Sequence, residues 1–343
     1  MTSLQQALGL ELPVIQAPMA GVQDSALAIA VSRAGGLGSL PCAMLDASAL
    51  RRELAAIRAA TDRPFNVNFF CHQAPPADPA REATWRNALA PYYREFGLDA
   101  DAVPTGPGRF PFDAAAATLL EECRPAVVSF HFGLPDETLL APLRGFGAKI
   151  IASATTLEEA LWLEQRGVDA VIAQGLEAGG HRGHFLSLDV TRQSGTFALL
   201  PQLARRLRTP VIAAGGIADR AGVQAALALG AAVVQVGTAY LLCPEATTRP
   251  VHRQALTSEA ARHTALTRLF TGGAARGIVN RLMREVDDAA APPFPLGTAA
   301  IAPLRAAAEA RGSGDFSPLW SGQNASGCKA EPAAELTRAL AGV

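Results

Sequence analysis

The sequence predicts a TIM-type (β/α)8 barrel carrying a long insertion after its third strand and a helical C-terminal extension. Three observations point there. Short apolar, often β-branched runs alternate along the chain with Ala/Leu/Arg segments of helical period, the pattern of parallel βα units. Eight such runs can be placed. The length, 343 residues, accommodates a barrel of about 250 residues with additions.

The runs are residues 12–17, 36–40, 65–69, 126–130, 149–153, 170–174, 210–214 and 232–236. Helices are expected at 25–33, 48–60, 156–166, 197–206 and 219–229. The last has both ends signalled, by Asp219 as N-cap and Gly230 just past the final turn. Parallel strands buried on both faces can close into a barrel or stay open as a doubly wound sheet, and eight units favour closure. The barrel with its insertion is expected over 1–245 and the extension over 246–343. The insertion, 71–125, is densest in Pro and Gly at 74–76 and 104–108 and carries Tyr92 and Tyr93. A segment of that length on a barrel serves as a lid or pocket wall. After the eighth run the chain reads as helical to about Ala310 and then as a Gly/Ser/Pro-rich tail.

Composition removes several classes. A chain that is 49% hydrophobic and 18% charged is not disordered, and 30 basic against 31 acidic side chains leave no footprint for nucleic acid or an anionic membrane surface. Residues 221–243 carry no charge and are long enough to span a bilayer, but Gly222, Gln224, Gly230, Gln235, Gly237 and Thr238 break them. They read as a buried helix, a stop and a buried strand. Five scattered cysteines without a C-x-x-C pair argue against disulfides and a structural zinc site. With no signal-peptide pattern at residues 1–10, a cytoplasmic protein is expected. Lys149 and Lys329 are the only lysines, so a Schiff-base enzyme has almost no candidate amine.

On a barrel, function sits where the strands end. The seventh run delivers Gly215 and Gly216 ahead of the Asp219 helix, and the eighth delivers Gln235, Val236, Gly237 and Thr238. Glycine loops after strands seven and eight are the usual phosphate grip of this fold. No Walker loop, G-x-S-x-G elbow or H-E-x-x-H motif is present, and 35–39 lack the G-x-G-x-x-G spacing of a dinucleotide fingerprint.

The sharpest cluster follows the sixth run: Gln174, then Gly179-Gly180-His181-Arg182-Gly183. A glycine-bracketed His-Arg costs backbone entropy and buries little, so it reads as an active-site loop with His181 as the candidate acid or base. His131, at the end of the fourth run, points into the same mouth. His72, His184, His252 and His263 read as surface or structural. The first run ends in Gln16-Ala17-Pro18-Met19-Ala20-Gly21, a turn able to lay backbone against a flat ligand. In the third run Asn66 and Asn68 share a face by period two, with Asn68 nearer the mouth.

Together these stretches, with 129–133, 270–277 and 319–323, resemble the nitronate monooxygenase family of flavin mononucleotide (FMN)-binding barrels. The Gly-Gly-His-Arg-Gly stretch is the most specific of them. The resemblance implies that Pro18, Met19 and Ala20 line the flavin ring and that Asn68 and Gln174 bond its polar edge or ribityl chain. Gly179, Gly180, Gly215, Gly216 and residues Gln235 to Thr238 would hold the remaining ribityl and phosphate contacts. His181 and His131 would be the catalytic residues, facing the substrate. The implied reaction oxidises a small anionic alkyl nitronate, of the propionate 3-nitronate class, with O2 to a carbonyl compound and nitrite, without NAD(P)H.

Protonated His181, or Arg182 turned inward, could hold the anion; neutral His181 could instead remove the α-proton of a nitroalkane. One departure concerns the C-terminal part, where family pockets often draw tyrosines and a lysine: this chain has no Tyr after Tyr240, only Lys329 there, and small residues around Thr298. Two rival readings keep the barrel: an FMN-dependent NAD(P)H:quinone or enoyl-thioester reductase, and a non-redox enzyme of a phosphorylated metabolite. A pure binding module leaves the His-Arg loop without a purpose. The apolar outer helices suit a homodimer or the barrel's own ring.

Overall fold

The computed structural model describes residues 1–76, 78–99, 103 and 109–343, so the Pro/Gly stretch at 104–108 lies outside the described residues. Each of the eight expected runs carries a strand. These are β1 (Val14–Gln16), β2 (Gly38–Pro41), β3 (Phe65–Phe70), β4 (Val127–His131), β5 (Lys149–Ala154) and β6 (Ala170–Gln174), then, after a two-residue strand β7 (Gly180–His181), β8 (Val211–Ala214) and β9 (Val233–Val236). They pair in parallel in the order β1-β9-β8-β6-β5-β4-β3-β2. A parallel bridge between Ile15 and Leu37 brings β1 back beside β2 and completes the ring.

Period-two alternation sorts the side chains. Ile15, Leu37, Val127, Ile151, Ile172, Ile212 and Val233 come from strands all around the ring yet form one cluster, so they fill its interior. Leu4 and Leu8, from the short helix Ser3–Leu8, join that cluster together with Leu10 and plug the lower end. The alternate residues, Val14, Val67, Val128, Val171 and Val234 among them, pack outward beneath the helices in the main core. With the bottom plugged, the mouth at the strands' C-terminal ends is left for chemistry.

The connecting helices start where short polar side chains satisfy their first amides. Asp46 accepts from Ala49 N at 2.7 Å and Asp219 from Gly222 N at 2.8 Å. Helices Ser25–Arg33, Ala47–Ala60, Leu157–Gln165, Thr196–Arg206 and Arg220–Ala228 fall within two residues of expectation.

The C-terminal part departs from the expected helical reading. It contributes β10 (Thr264–Thr267) and β11 (Ala275–Ile278), and β11 pairs antiparallel with both β10 and β7. The expected tail contains a further helix, Ala333–Ala341, packed through Leu336 and Leu340 into the main core. Its Thr337 Oγ1 lies 2.9 Å from Tyr240 Oη, which fastens this segment to the barrel. Within the insertion, helix Pro79–Phe96 packs against helix Gly297–Ala310. A separate hydrophobic cluster joins them, built on Trp85, Leu89, Tyr92, Leu304 and Phe316. Tyr93 Oη donates to Ala300 O at 2.7 Å across that seam. Two segments about 200 residues apart thus form one packed unit.

Candidate active site

One cavity opens at the mouth, enclosing about 1330 Å³ of empty space, open solvent included. Pro18, Met19 and Ala20 line it from the end of β1, and Asn68 from β3. Beneath them Gln16 and Gln23 form a buried pair, Nε2 to Oε1 at 2.7 Å, and Gln23 Oε1 also accepts from Met19 N at 2.9 Å. That network sets the turn and leaves its backbone facing the cavity. Asn68 donates through Nδ2 to Ser129 Oγ at 2.9 Å, so its Oδ1 is the atom available to a ligand. Asn66, one step deeper, spends its amide on Ser39 and Ser129 inside the barrel.

The structure brings the two glycine loops to one cavity. Gly215, Gly216, Gln235, Gly237 and Thr238 line the cavity from the ends of β8 and β9. Gly215 and Gly216 have φ of 118° and 74°, a left-handed path that a side chain disfavours. Gln235 Oε1 is buried without a partner, an acceptor that a ligand hydroxyl or N–H would satisfy. Val236 does not line the cavity: its side chain packs outward in the core, because alternation along β9 turns it away from Gln235 and Gly237.

The His-Arg loop is more structured than the sequence suggests. β7 pairs His181 with Ala275 and Gly180 with Arg276, so an antiparallel strand fixes the loop against the C-terminal part. Gly179, Gly180 and His181 all line the cavity. Gln174 lines it too, and its amide also closes the loop, donating to His181 O at 2.9 Å and accepting from Gly183 N at 2.7 Å. Arg182 does not turn inward. Its guanidinium is fully buried and bonded to Gln193 Oε1, Gly175 O and Gln174 O at 2.7–2.8 Å, so it holds the end of β6 and never meets the cavity.

His181 Nε2 lies 2.9 Å from Thr271 Oγ1; in the tautomer whose Nε2–H donates to that hydroxyl, Nδ1 is the ring nitrogen able to receive a proton. Burial, then the charge of Arg109, hold its pKa well below the ordinary histidine value, so the imidazole is neutral at pH 7. Phe294, Trp320, Phe70 and Phe132 surround it at ring-centroid distances of 5.2, 5.6, 6.1 and 6.2 Å. His131 lines the cavity but has both nitrogens engaged, Nδ1 with Ser153 Oγ at 3.0 Å and Nε2 with His181 O at 3.1 Å. Burial lowers its pKa to about 4.

Arg109, His252 and Trp320 are among the lining residues that fall outside the sequence-derived site. Arg109 enters from the insertion, 8% exposed, with Phe110 N bonded to Ala43 O beyond the end of β2. The only signal for it is the Phe110-Pro111-Phe112 run that marks the insertion's return to the barrel. His252, read from sequence as surface or structural, is buried and lines the cavity, its Nε2 without a partner. Trp320 belongs to a stretch that carries the family resemblance, but its contact with His181 needs the folded chain. Among the described residues, no group of His, Cys, Asp or Glu is arranged to hold a metal ion. Nor is any helix there long and apolar enough to cross a membrane.

Comparison with known proteins agrees with this fold. A protein from Pseudomonas aeruginosa named nitronate monooxygenase is 45% identical over 337 residues, covering 97% of this chain and 96% of its own. One of the same name from Paraburkholderia phytofirmans is 44% identical, over 98% and 93%. The crystal structure of a nitroalkane oxidase from Streptomyces ansochromogenes superposes with a TM-score of 0.89 at 38% identity, covering 98% of this chain and 96% of that one. The family model described as nitronate monooxygenase matches residues 2–342, and the chain belongs to that family.

Proposed function

We propose that this protein binds FMN across the barrel mouth and oxidises small alkyl nitronates, of the propionate 3-nitronate class, with O2 to a carbonyl compound and nitrite. The observation that carries the reading is the position of His181, held by β7 and Thr271 in the lining of a cavity that the glycine loops line too. The residues present fit the cofactor: orphaned Gln235 Oε1 suits a ribityl hydroxyl, and the Gly215-Gly216 and Gly237 turns let amides approach a phosphate. Pro18, Met19 and Ala20 offer a flat apolar surface to the ring system, with Asn68 Oδ1 beside it. When bound, FMN supplies the electron-accepting and O2-reactive chemistry, which no side chain here provides.

The protein's own part is orientation, water exclusion and one proton. The four aromatic rings around His181 keep bulk water from the reacting carbon. A nitronate arrives already deprotonated and needs no base. A neutral nitroalkane must lose its α-proton, and neutral His181 receives it at Nδ1 while Thr271 and His131 hold the ring and its backbone in place. His131 therefore serves as a positioning residue. Five free cysteines support a reducing, cytoplasmic setting.

The test is the absorbance spectrum of purified protein, followed by anaerobic titration with an alkyl nitronate and then with NADH. Flavin bands that bleach with the nitronate and persist with NADH are expected. Rapid bleaching by NADH would favour the reductase reading, and a colourless protein that takes up no FMN would end the flavin assignment.

A further inference from the structure

We propose that Arg109 selects the ionised nitronate over the neutral nitroalkane by receiving both oxygens of its nitro group, and that Thr298 positions it. This rests on the nitronate reading above and names the residue that reads the substrate's charge. Arg109 is the only arginine, and there is no lysine, aspartate or glutamate, among the described residues lining the cavity. The three histidines there, His131, His181 and His252, are held neutral by burial, so the charge must come from elsewhere. No ion pair among the described residues engages Arg109. A buried guanidinium without a counter-charge is costly, and an anionic ligand offsets that cost.

The geometry says which edge of the fork is used. Nη1 donates to Thr298 Oγ1 at 2.8 Å, and the Thr298 hydroxyl donates on to Phe270 O at 3.3 Å. Nε is buried without a partner. The edge formed by Nε and Nη2 is therefore the one offered, two parallel N–H groups that match the two coplanar oxygens of a nitronate as they would a carboxylate. Its pKa, lowered to about 10 by burial, keeps it charged at neutral pH. The glycine grip for phosphate lies at the ends of β8 and β9, whereas Arg109 follows from the insertion near the end of β2.

The test uses holoenzyme and three variants, Arg109→Met, Arg109→Lys and Thr298→Val. Losing charge-assisted hydrogen bonds should raise the nitronate KM about 10- to 100-fold in Arg109→Met, while the KM for the matching nitroalkane moves about threefold or less. Arg109→Lys keeps the charge without the fork and should recover part of the loss. Thr298→Val should raise the nitronate KM a few-fold in the parent and not at all in the Arg109→Met background. Sodium nitrite, a planar anion, provides a readout independent of turnover: its affinity by calorimetry should fall about tenfold or more in Arg109→Met. A parent protein that binds nitrite through Arg109 yet oxidises no nitronate would sink the reaction reading and leave this one standing. Should Arg109→Met not fold, the Lys and Val variants carry the comparison. Equal KM changes for both substrates, an unchanged nitrite affinity, or loss of flavin in step with loss of activity would overturn the proposal.

Discussion

Gly183→Ala tests whether His131 and the His181 loop are a single packed unit. A Cβ at Gly183 would sit 2.7 Å from His131 Cε1, 3.0 Å from its Nδ1 and 3.0 Å from Ser153 Cβ. The first contact is about 0.8 Å short of the closest ordinary carbon–carbon separation. Gly183 is not among the positive-φ glycines, so the backbone accepts alanine and the effect is one of space alone. The imidazole must withdraw, and doing so strains its bonds to Ser153 Oγ and His181 O. Overpacking of this kind costs about 1–3 kcal/mol, and a weakened buried hydrogen bond adds about 1 kcal/mol. With an unfolding entropy of about 2.1 cal/mol/K per residue, a loss of roughly 2–4 kcal/mol lowers Tm by about 3–6 °C. Because His131 holds the His181 carbonyl, kcat/KM should fall with it, by about tenfold or more. Differential scanning calorimetry and steady-state kinetics on the purified variant measure both. A Tm within 1 °C of the parent together with kcat/KM within about twofold would refute the packing argument.

Three further outcomes follow from the same geometry. His181→Ala should cut turnover of neutral nitroalkanes by about 10²- to 10⁴-fold and that of nitronates by much less, since only the former need a base; equal rates in parent and variant with both substrates would remove His181 from the chemistry. Buried His184 and His252 have pKa values lowered to about 4 from the unfolded value near 6.5, so below pH 6.5 the unfolded chain binds protons that the folded chain refuses. Stability to urea should therefore decline as pH falls from 6.5 to 4, by up to about 1.4 kcal/mol per pH unit for each, and a flat profile over that window would contradict their burial. Tyr93→Phe leaves Ala300 O without its 2.7 Å donor, which should cost about 1–3 kcal/mol by denaturant unfolding.

Sequence patterning carried the barrel because the units repeat a local signal, an apolar run followed by a segment of helical period, sharpened in the last by Asp219 as N-cap and Gly230 beyond the helix. His181 and the glycine loops were legible for a related reason, since position at a strand end is itself the clue. What escaped depends on contacts distant in sequence. A two-residue strand such as β7 has no period to detect, and its partner β11 lies about 95 residues on. Helix Ala333–Ala341 is short and follows a Gly- and Ser-rich stretch, which masks its apolar face. Arg182 and Arg109 are alike as letters; only the carbonyls around one and, among the described residues, the lack of an acid in the cavity lining beside the other separate a strut from an anion receptor.

The seam between Trp85, Tyr93 and the Gly297–Ala310 helix bears on how the specificity of this scaffold can be altered. The two helices are cut to one another, so transplanting either from a homologue alone would leave mismatched surfaces at their seam. Recombination experiments should exchange residues 79–96 and 297–310 as a matched set, with the barrel beneath kept intact.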